Sequence, residues 1–425
     1  MTTLPATSTF PTDTPTDTPI LTARPRRIGR PLARPVAFWL VTATTATLLA
    51  ASSAPSPLYQ VYQAQFGFSA VTLTAIFSVY VLALLLSLLT IGRLSDYVGR
   101  RPVLAVALIV EAASMAVFLA ADGTGALFAA RAVQGLATGA AVGVLGAYLL
   151  DLQPTDGSRL GSLVNSAAAT GGLGLGAVLA GVLIQYAPQP TRLVFDVFVA
   201  AFVLLAVATA LLPETVRRQP GARAALRPRV YVPPAARRAF LRATPTMAST
   251  WMLGGLMLSV GGSLLAATFH QDNHAIVGLI LGVFAGSAAL ASVLLRNRSA
   301  EAMTMIGTVL LLVGAGSLVL SVAVSSLAVF VLGTTIAGTG FGPTFLGAFR
   351  SVSQLATVHE RAALISAIYV VSYLAFSVPA VVAGVLISAV GLHATALGYA
   401  AVVAAVAAGT LIDQVLAGRR IRRAG

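Results

Sequence analysis

Gly92-Arg93-Leu94-Ser95-Asp96-Tyr97-Val98-Gly99-Arg100-Arg101-Pro102 is a short charged hinge between two long apolar runs, in a chain where only 9% of residues are charged. One Asp and three Arg packed so closely do not lie in hydrocarbon, where each ionised side chain is costly. The hinge therefore marks a connection at a membrane surface, and the runs on either side of it read as helices that cross a bilayer.

Working outward, 57% of the 425 residues are hydrophobic and the mean hydropathy is +0.89, outside the range of a soluble domain. A span needs about 20 mostly apolar residues. On that scale the sequence predicts twelve spans, near 36–53, 70–91, 102–120, 124–150, 160–186, 193–212, 247–269, 275–295, 302–323, 326–349, 362–390 and 394–417. The fold class expected is all-α and integral to the membrane.

A net charge of +14 is no sign of a nucleic-acid partner here, because the basic residues follow the loops. All 27 are Arg. Five lie in the N-terminal tail (Arg24, Arg26, Arg27, Arg30, Arg34), three after span two, one after span four (Arg159) and eight between spans six and seven. Two follow span eight (Arg296, Arg298), two join spans ten and eleven (Arg350, Arg361), and four end the chain (Arg419, Arg420, Arg422, Arg423). The alternate loops hold only Arg192, and Arg131 sits inside span four. Arg enrichment in alternate short loops marks the cytoplasmic side, so both termini are expected there, in a multi-pass protein of the cell membrane.

Five segments are expected: a disordered Thr- and Pro-rich cytoplasmic tail (1–35), a six-helix bundle (36–212), a basic linker (213–246), a second six-helix bundle (247–417) and a basic tail (418–425). The tail lacks the apolar stretch of a secretory signal. In the linker, Pro233-Pro234-Ala235-Ala236-Arg237-Arg238-Ala239-Phe240-Leu241-Arg242 reads either as a short interfacial helix, its Arg toward anionic headgroups, or as a tether whose charge only fixes topology. With no Cys in the chain, disulfides, thiolate metal sites and thiol chemistry are excluded. His270 and His274 are four apart without an evident third ligand, so no metal and no cofactor is expected.

Gly92, Asp96, Gly99, Arg100 and Arg101 occupy the places of Gly-x-x-x-Asp-Arg/Lys-x-Gly-Arg-Arg/Lys, and Arg131, Gly135 and Gly139 those of Arg-x-x-x-Gly-x-x-x-Gly. On these motifs residues 36–417 resemble a twelve-span member of the major facilitator superfamily, nearest its drug:proton antiporter branch. The resemblance implies two pseudo-symmetric six-helix bundles that expose a small-molecule site to each side in turn, with protons as coupling ion, membrane lipid as surroundings and function as a monomer. It also implies that the hinge is a cytoplasmic gate, with Asp96 at the start of span eleven near Ala362 and Arg100 or Arg101 reaching Asp151. The other reading is a topology signal without gating. Tyr97 departs from the motif, where a basic residue is usual.

Glu111 is the acid well inside a span, nine residues past Pro102 and so about 14 Å along span three. Arg131 descends to a similar depth. Neighbouring charge and desolvation act in opposite senses on the protonation of such a carboxyl, so Glu111 with Arg131 is the candidate proton-coupling pair; a purely structural ion pair is the alternative. In span five, Gly172, Gly176 and Gly181 keep the spacing of an antiporter motif whose Pro is replaced by Ala177. These glycines, with Gly135 and Gly139, suit close helix packing, and Gly340 and Gly342 of span ten suit a deformable helix. Tyr80, Gln134, Asn165, Tyr369 and Tyr373 are candidates for a substrate cavity, or else packing residues.

The function expected from the resemblance is proton-coupled efflux of small amphipathic or hydrophobic compounds. A sugar or metabolite transporter, or a uniporter, is the alternative; a membrane-embedded enzyme or lipid scramblase is remote. An ATP-driven pump is disfavoured, because the chain has no Lys and hence no phosphate loop of the Gly-Lys-Ser/Thr type.

Overall fold

The computed structural model describes residues 31–154 and 160–424, and among them the regular elements are all helical. Arg159 and most of the N-terminal tail lie outside the described residues. Among the described residues ten helices are long and apolar enough to cross a membrane, and a bent pair counted as one span makes eleven. The apolar helix Leu193–Thr209, shorter than these, completes a set of twelve.

In the first half the spans are Arg34–Phe66, Ala70–Thr90, Arg100–Leu119, Thr124–Leu152, Leu160–Tyr186 and Leu193–Thr209. In the second they are Pro234–Phe269, His274–Leu294, Ala300–Ala323, Leu327–Ser353, Val358–Val390 and Leu392–Ala424. Spans one and seven differ most from the expected bounds. Pro55 and Pro57 read in sequence as the end of span one. Yet Pro fits the first turn of a helix, Ala54 keeps helical angles, and a second segment, Pro55–Phe66, continues the span. Span seven starts inside the expected linker: Pro234 opens a helix that runs unbroken to Ser259, through Pro245, and then bends by 61° into Gly261–Phe269. The short interfacial helix is thus the first part of span seven. Its Phe240 packs inward on a cluster with Val352 and Ile368, while Leu241 stays exposed.

Each half has its own apolar core, one centred on spans one to six and one on spans seven to twelve. Two seams join them, and glycine makes the approach close. Between spans five and eight, a Cβ on Gly181 would stand 2.9 Å from the Gly278 Cα, and one on Gly174 would stand 2.9 Å from the Gly282 carbonyl. Between spans two and eleven, the Ser78 hydroxyl donates to the Ser377 carbonyl at 3.3 Å, and Phe77 meets Phe376 with ring centroids 5.1 Å apart. Gln185 of span five accepts from the His274 backbone N–H at 2.9 Å. These contacts lie in the middle and toward the Arg-poor end of the bundle, where they hold the halves together.

Candidate functional site

Pro55 has no N–H, so the carbonyl of Ala51, one turn earlier, loses its helical partner. In a membrane such an orphan must be satisfied by protein. The Gln134 side-chain amide of span four donates to it at 3.0 Å. Arg131, one turn away, reinforces the repair: its guanidinium donates to the Ser52 carbonyl at 3.0 Å, to the Tyr59 hydroxyl at 2.8 Å and to the Gln134 side-chain oxygen at 2.8 Å. The rings of Tyr80, Tyr59 and Phe118 surround the cation at 5.0, 5.4 and 5.8 Å. Arg131 and Gln134 are fully buried. A desolvated cation over an aromatic face gains about 2 kcal/mol, and hydrogen bonds from a charged group about 1.5–3 kcal/mol each. Together these more than offset the insertion cost of about 2.5–3.5 kcal/mol for Arg at the centre of a span.

Glu111 lies beside this network without entering it. Its carboxyl is fully buried; one oxygen accepts from the Thr138 hydroxyl at 2.5 Å, and the other has no hydrogen-bond partner. Arg131 therefore spends its donors on span one, and no ion pair joins it to Glu111 among the described residues. Thr138 sits one turn past Gln134 on span four, which places the carboxyl and the guanidinium along one helix. Gly135 and Gly139 allow this helix to lie on span two: a Cβ on either would collide with the backbone carbonyl of Tyr80 or of Leu84.

At the Arg-rich end the hinge closes on a different partner from the one expected. Asp96 pairs with Arg100 at 2.5 Å rather than with the start of span eleven, which carries its own capping box of Thr357 and Glu360. Arg100 also reaches Asp151 at 3.3 Å, as the resemblance implied, and Ser95 at 2.8 Å. Arg101 turns away and donates to the Ala210 carbonyl. The helix start held by an acid is that of span three. Glu214, just past span six, accepts from the Arg100 and Arg101 backbone N–H groups at 2.8 and 3.1 Å, where the helix dipole favours an anion. Gly99 makes room for this at a φ of +107°: a Cβ there would stand 2.7 Å from the Glu214 carboxylate. Tyr97 has a use of its own, since its carbonyl accepts from Gln219 N–H at 2.9 Å and its ring covers Gly221 in the linker.

The aromatic candidates fall into two places. Tyr80 belongs to the Arg131 cage. Tyr369 and Tyr373 stack at 5.9 Å on the edge of a larger cluster centred on Trp251, whose ring lies 5.2 Å from Tyr373, 5.3 Å from Phe345 and Phe376, and 6.0 Å from Phe341. The indole N–H is buried without a partner, as are the hydroxyls of Ser372 and Ser377. Asn165 lies apart, its amide beside Gly146 of span four. Gly172 and Gly176 press on the backbone at Ala46 and Ala50 of span one, and Gly340 and Gly342 bring span ten against spans nine and eight. In this state span ten is an unbroken helix.

Sequence reasoning missed Glu214, Thr138, Tyr59 and the phenylalanines around Trp251. For the last group a signal existed: Phe341, Phe345 and Phe349 recur every four residues, one face of a helix. For Glu214 there was none, because its partners lie more than a hundred residues away.

The same arrangement of helices occurs in solved transporters. The nucleoside transporter NupG superposes with a TM-score of 0.67 at 14% identity, over 90% of this chain and 100% of that one. A bacterial homologue of the human lysosomal transporter Spinster, solved inward-facing and unoccupied, gives 0.69 at 15% identity over 90% and 95% of the two chains. The human organic anion transporter MFSD10 gives 0.62 at 18% identity over 89% and 100%. No curated protein matches the sequence. A family model does so from residue 40 to residue 380, most of the 425, and on that match the chain belongs to the Major Facilitator Superfamily.

Proposed function

We propose that this transporter couples proton movement at Glu111 to the export of small, apolar, aromatic-bearing compounds held against the Trp251 cluster. The observation that carries the reading is the carboxyl of Glu111, fully buried, with one oxygen bonded to Thr138 and one without a partner. A carboxyl so placed is an acid whose surroundings have to change when the site opens, and alternating access supplies that change. When Glu111 is ionised it draws on Arg131, the nearest cation along span four. Arg131 then has less to give to Ser52 and Tyr59, and the break in span one loosens. Proton binding at Glu111 reverses this and returns the strap to span one. The Arg100, Asp96, Asp151 and Glu214 cluster acts as the gate at the Arg-rich end, which is the cytoplasmic side in this reading.

For the substrate, the support is the Trp251 cluster: rings set edge-on and tilted around an indole whose N–H lacks a partner. Such a wall favours flat apolar bodies carrying hydrogen-bond acceptors. Away from their Arg-rich ends the spans of the second half offer almost no fixed charge, which argues against strongly anionic substrates.

The test is a proteoliposome assay under an imposed pH gradient. Internal pH is followed while a cationic aromatic dye, a neutral aromatic amide or a hexose is added, for wild type and Glu111→Gln. Proton movement evoked by the aromatic compounds and lost in Glu111→Gln is expected. Aromatic flux that continues in both proteins without proton movement makes this a uniporter and Glu111 a structural group.

A further inference from the structure

Away from Glu111 and the Trp251 cluster, the Arg-poor end holds a cavity of about 440 Å³. It lies across the two halves: Gln60 and Leu73 line it from spans one and two, Val260 and Ser263 from the bend of span seven, and Ile387 from the end of span eleven. Leu73 and Val260 are buried and form its floor, while Ala267 is exposed at its mouth. No charged side chain lines it. The Gln60 side-chain nitrogen is buried without a hydrogen-bond partner, held beside Gly262, where a Cβ would stand 3.0 Å from it. The neighbouring Gln63 amide is already committed to the Phe68 carbonyl at 3.1 Å.

An unsatisfied buried N–H is costly, and a ligand oxygen that draws the Gln60 amide round into the cavity it lines recovers that cost. Ligand pockets commonly enclose about 300–1,000 Å³ of mostly apolar wall with a few placed polar groups. We infer that this cavity is a second binding site, for neutral small molecules that set a carbonyl or ether oxygen against the Gln60 amide and an apolar body against Leu73, Val260 and Ile387. Because its walls come from both halves, the site is complete only while they are sealed at this end. A ligand there binds the sealed state in preference to the opened one and holds the transporter in it. This second site needs neither proton coupling nor the Trp251 cluster to be the substrate site.

The probe is benzophenone, which is neutral, carries one carbonyl acceptor, and inserts into nearby C–H bonds on illumination. Purified protein in lipid nanodiscs is photolabelled and the adducts are located by mass spectrometry, for wild type, Gln60→Leu and Ala267→Trp. Labelling is expected to concentrate on residues 60–74 and 260–267. It should fall about fivefold in Gln60→Leu, the share of affinity one neutral hydrogen bond carries, and disappear from both segments in Ala267→Trp, which fills the mouth. Adducts spread over the lipid-facing helices, or unchanged by both substitutions, overturn the inference. The transport assay with Glu111→Gln reads the other proposal separately.

Discussion

Arg131 of span four and Glu111 of span three lie near one another yet answer to different demands. Arg131 mends a helix that Pro55 breaks, and its donors are committed to Ser52, Tyr59 and Gln134. Arg131→Ala therefore leaves a buried hydroxyl and a carbonyl without partners and is expected to cost about 3 kcal/mol of stability. Arg131→Lys, with a point charge in place of a planar fork, should fall between. Thermal unfolding in detergent ranks the three proteins, and equal stability of Arg131→Ala and wild type would dismiss the strap. At the Arg-rich end, Glu214→Gln keeps an acceptor at the start of span three but removes the charge that the helix dipole favours. The expected loss is about 1 kcal/mol at low salt, shrinking at high salt as the exposed carboxylate is screened. A salt-independent loss would point to packing in place of charge.

The seam of spans five and eight works at the level of whole elements. Gly181 and Gly278 face each other, and a Cβ on Gly278 would collide with the Ala177 carbonyl. Gly278→Leu should push the two spans apart at the Arg-poor end and populate the state open there. The chain's lack of Cys gives a clean readout: Thr74→Cys, on a residue with no exposed surface, should react slowly with a small maleimide alone and faster together with Gly278→Leu. An unchanged rate would mean that the seam does not set the seal.

For the whole molecule, charge predicts which way it lies in the bilayer. The Arg-rich ends of the helices gather Arg100, Arg101, Arg217, Arg218 and Arg350, and the opposite loops carry Asp122, Asp272 and the lone Arg192. By the positive-inside rule the proposed orientation puts the hinge in the cytoplasm. In intact cells an impermeant maleimide should label Asp272→Cys at once and Arg218→Cys only after the membrane is opened. The reverse pattern would invert the transporter and turn the proposed export into uptake.

Local composition was enough to fix the class of fold, the apolar helices and the uneven spread of charge between their ends, since a span is long, apolar and helical wherever it sits. It also marked Glu111, Arg131 and the Gly92–Arg101 hinge, because ionised residues in a chain this apolar need a reason to be there. Only the tertiary structure decided who meets whom. Arg131 turned to span one because the Ser52 carbonyl and the Tyr59 hydroxyl lay across from it, beside the Ala51 carbonyl that Pro55 orphans and Gln134 satisfies. Asp96 paired with Arg100, while Glu214, which span six delivers to Gly99 at a distance no spacing rule encodes, took the start of span three. Trp251 of span seven gathered its rings from spans ten and eleven. Each of these pairings depends on which helix faces rest together, and that is fixed by glycine contacts and break angles summed over the whole bundle.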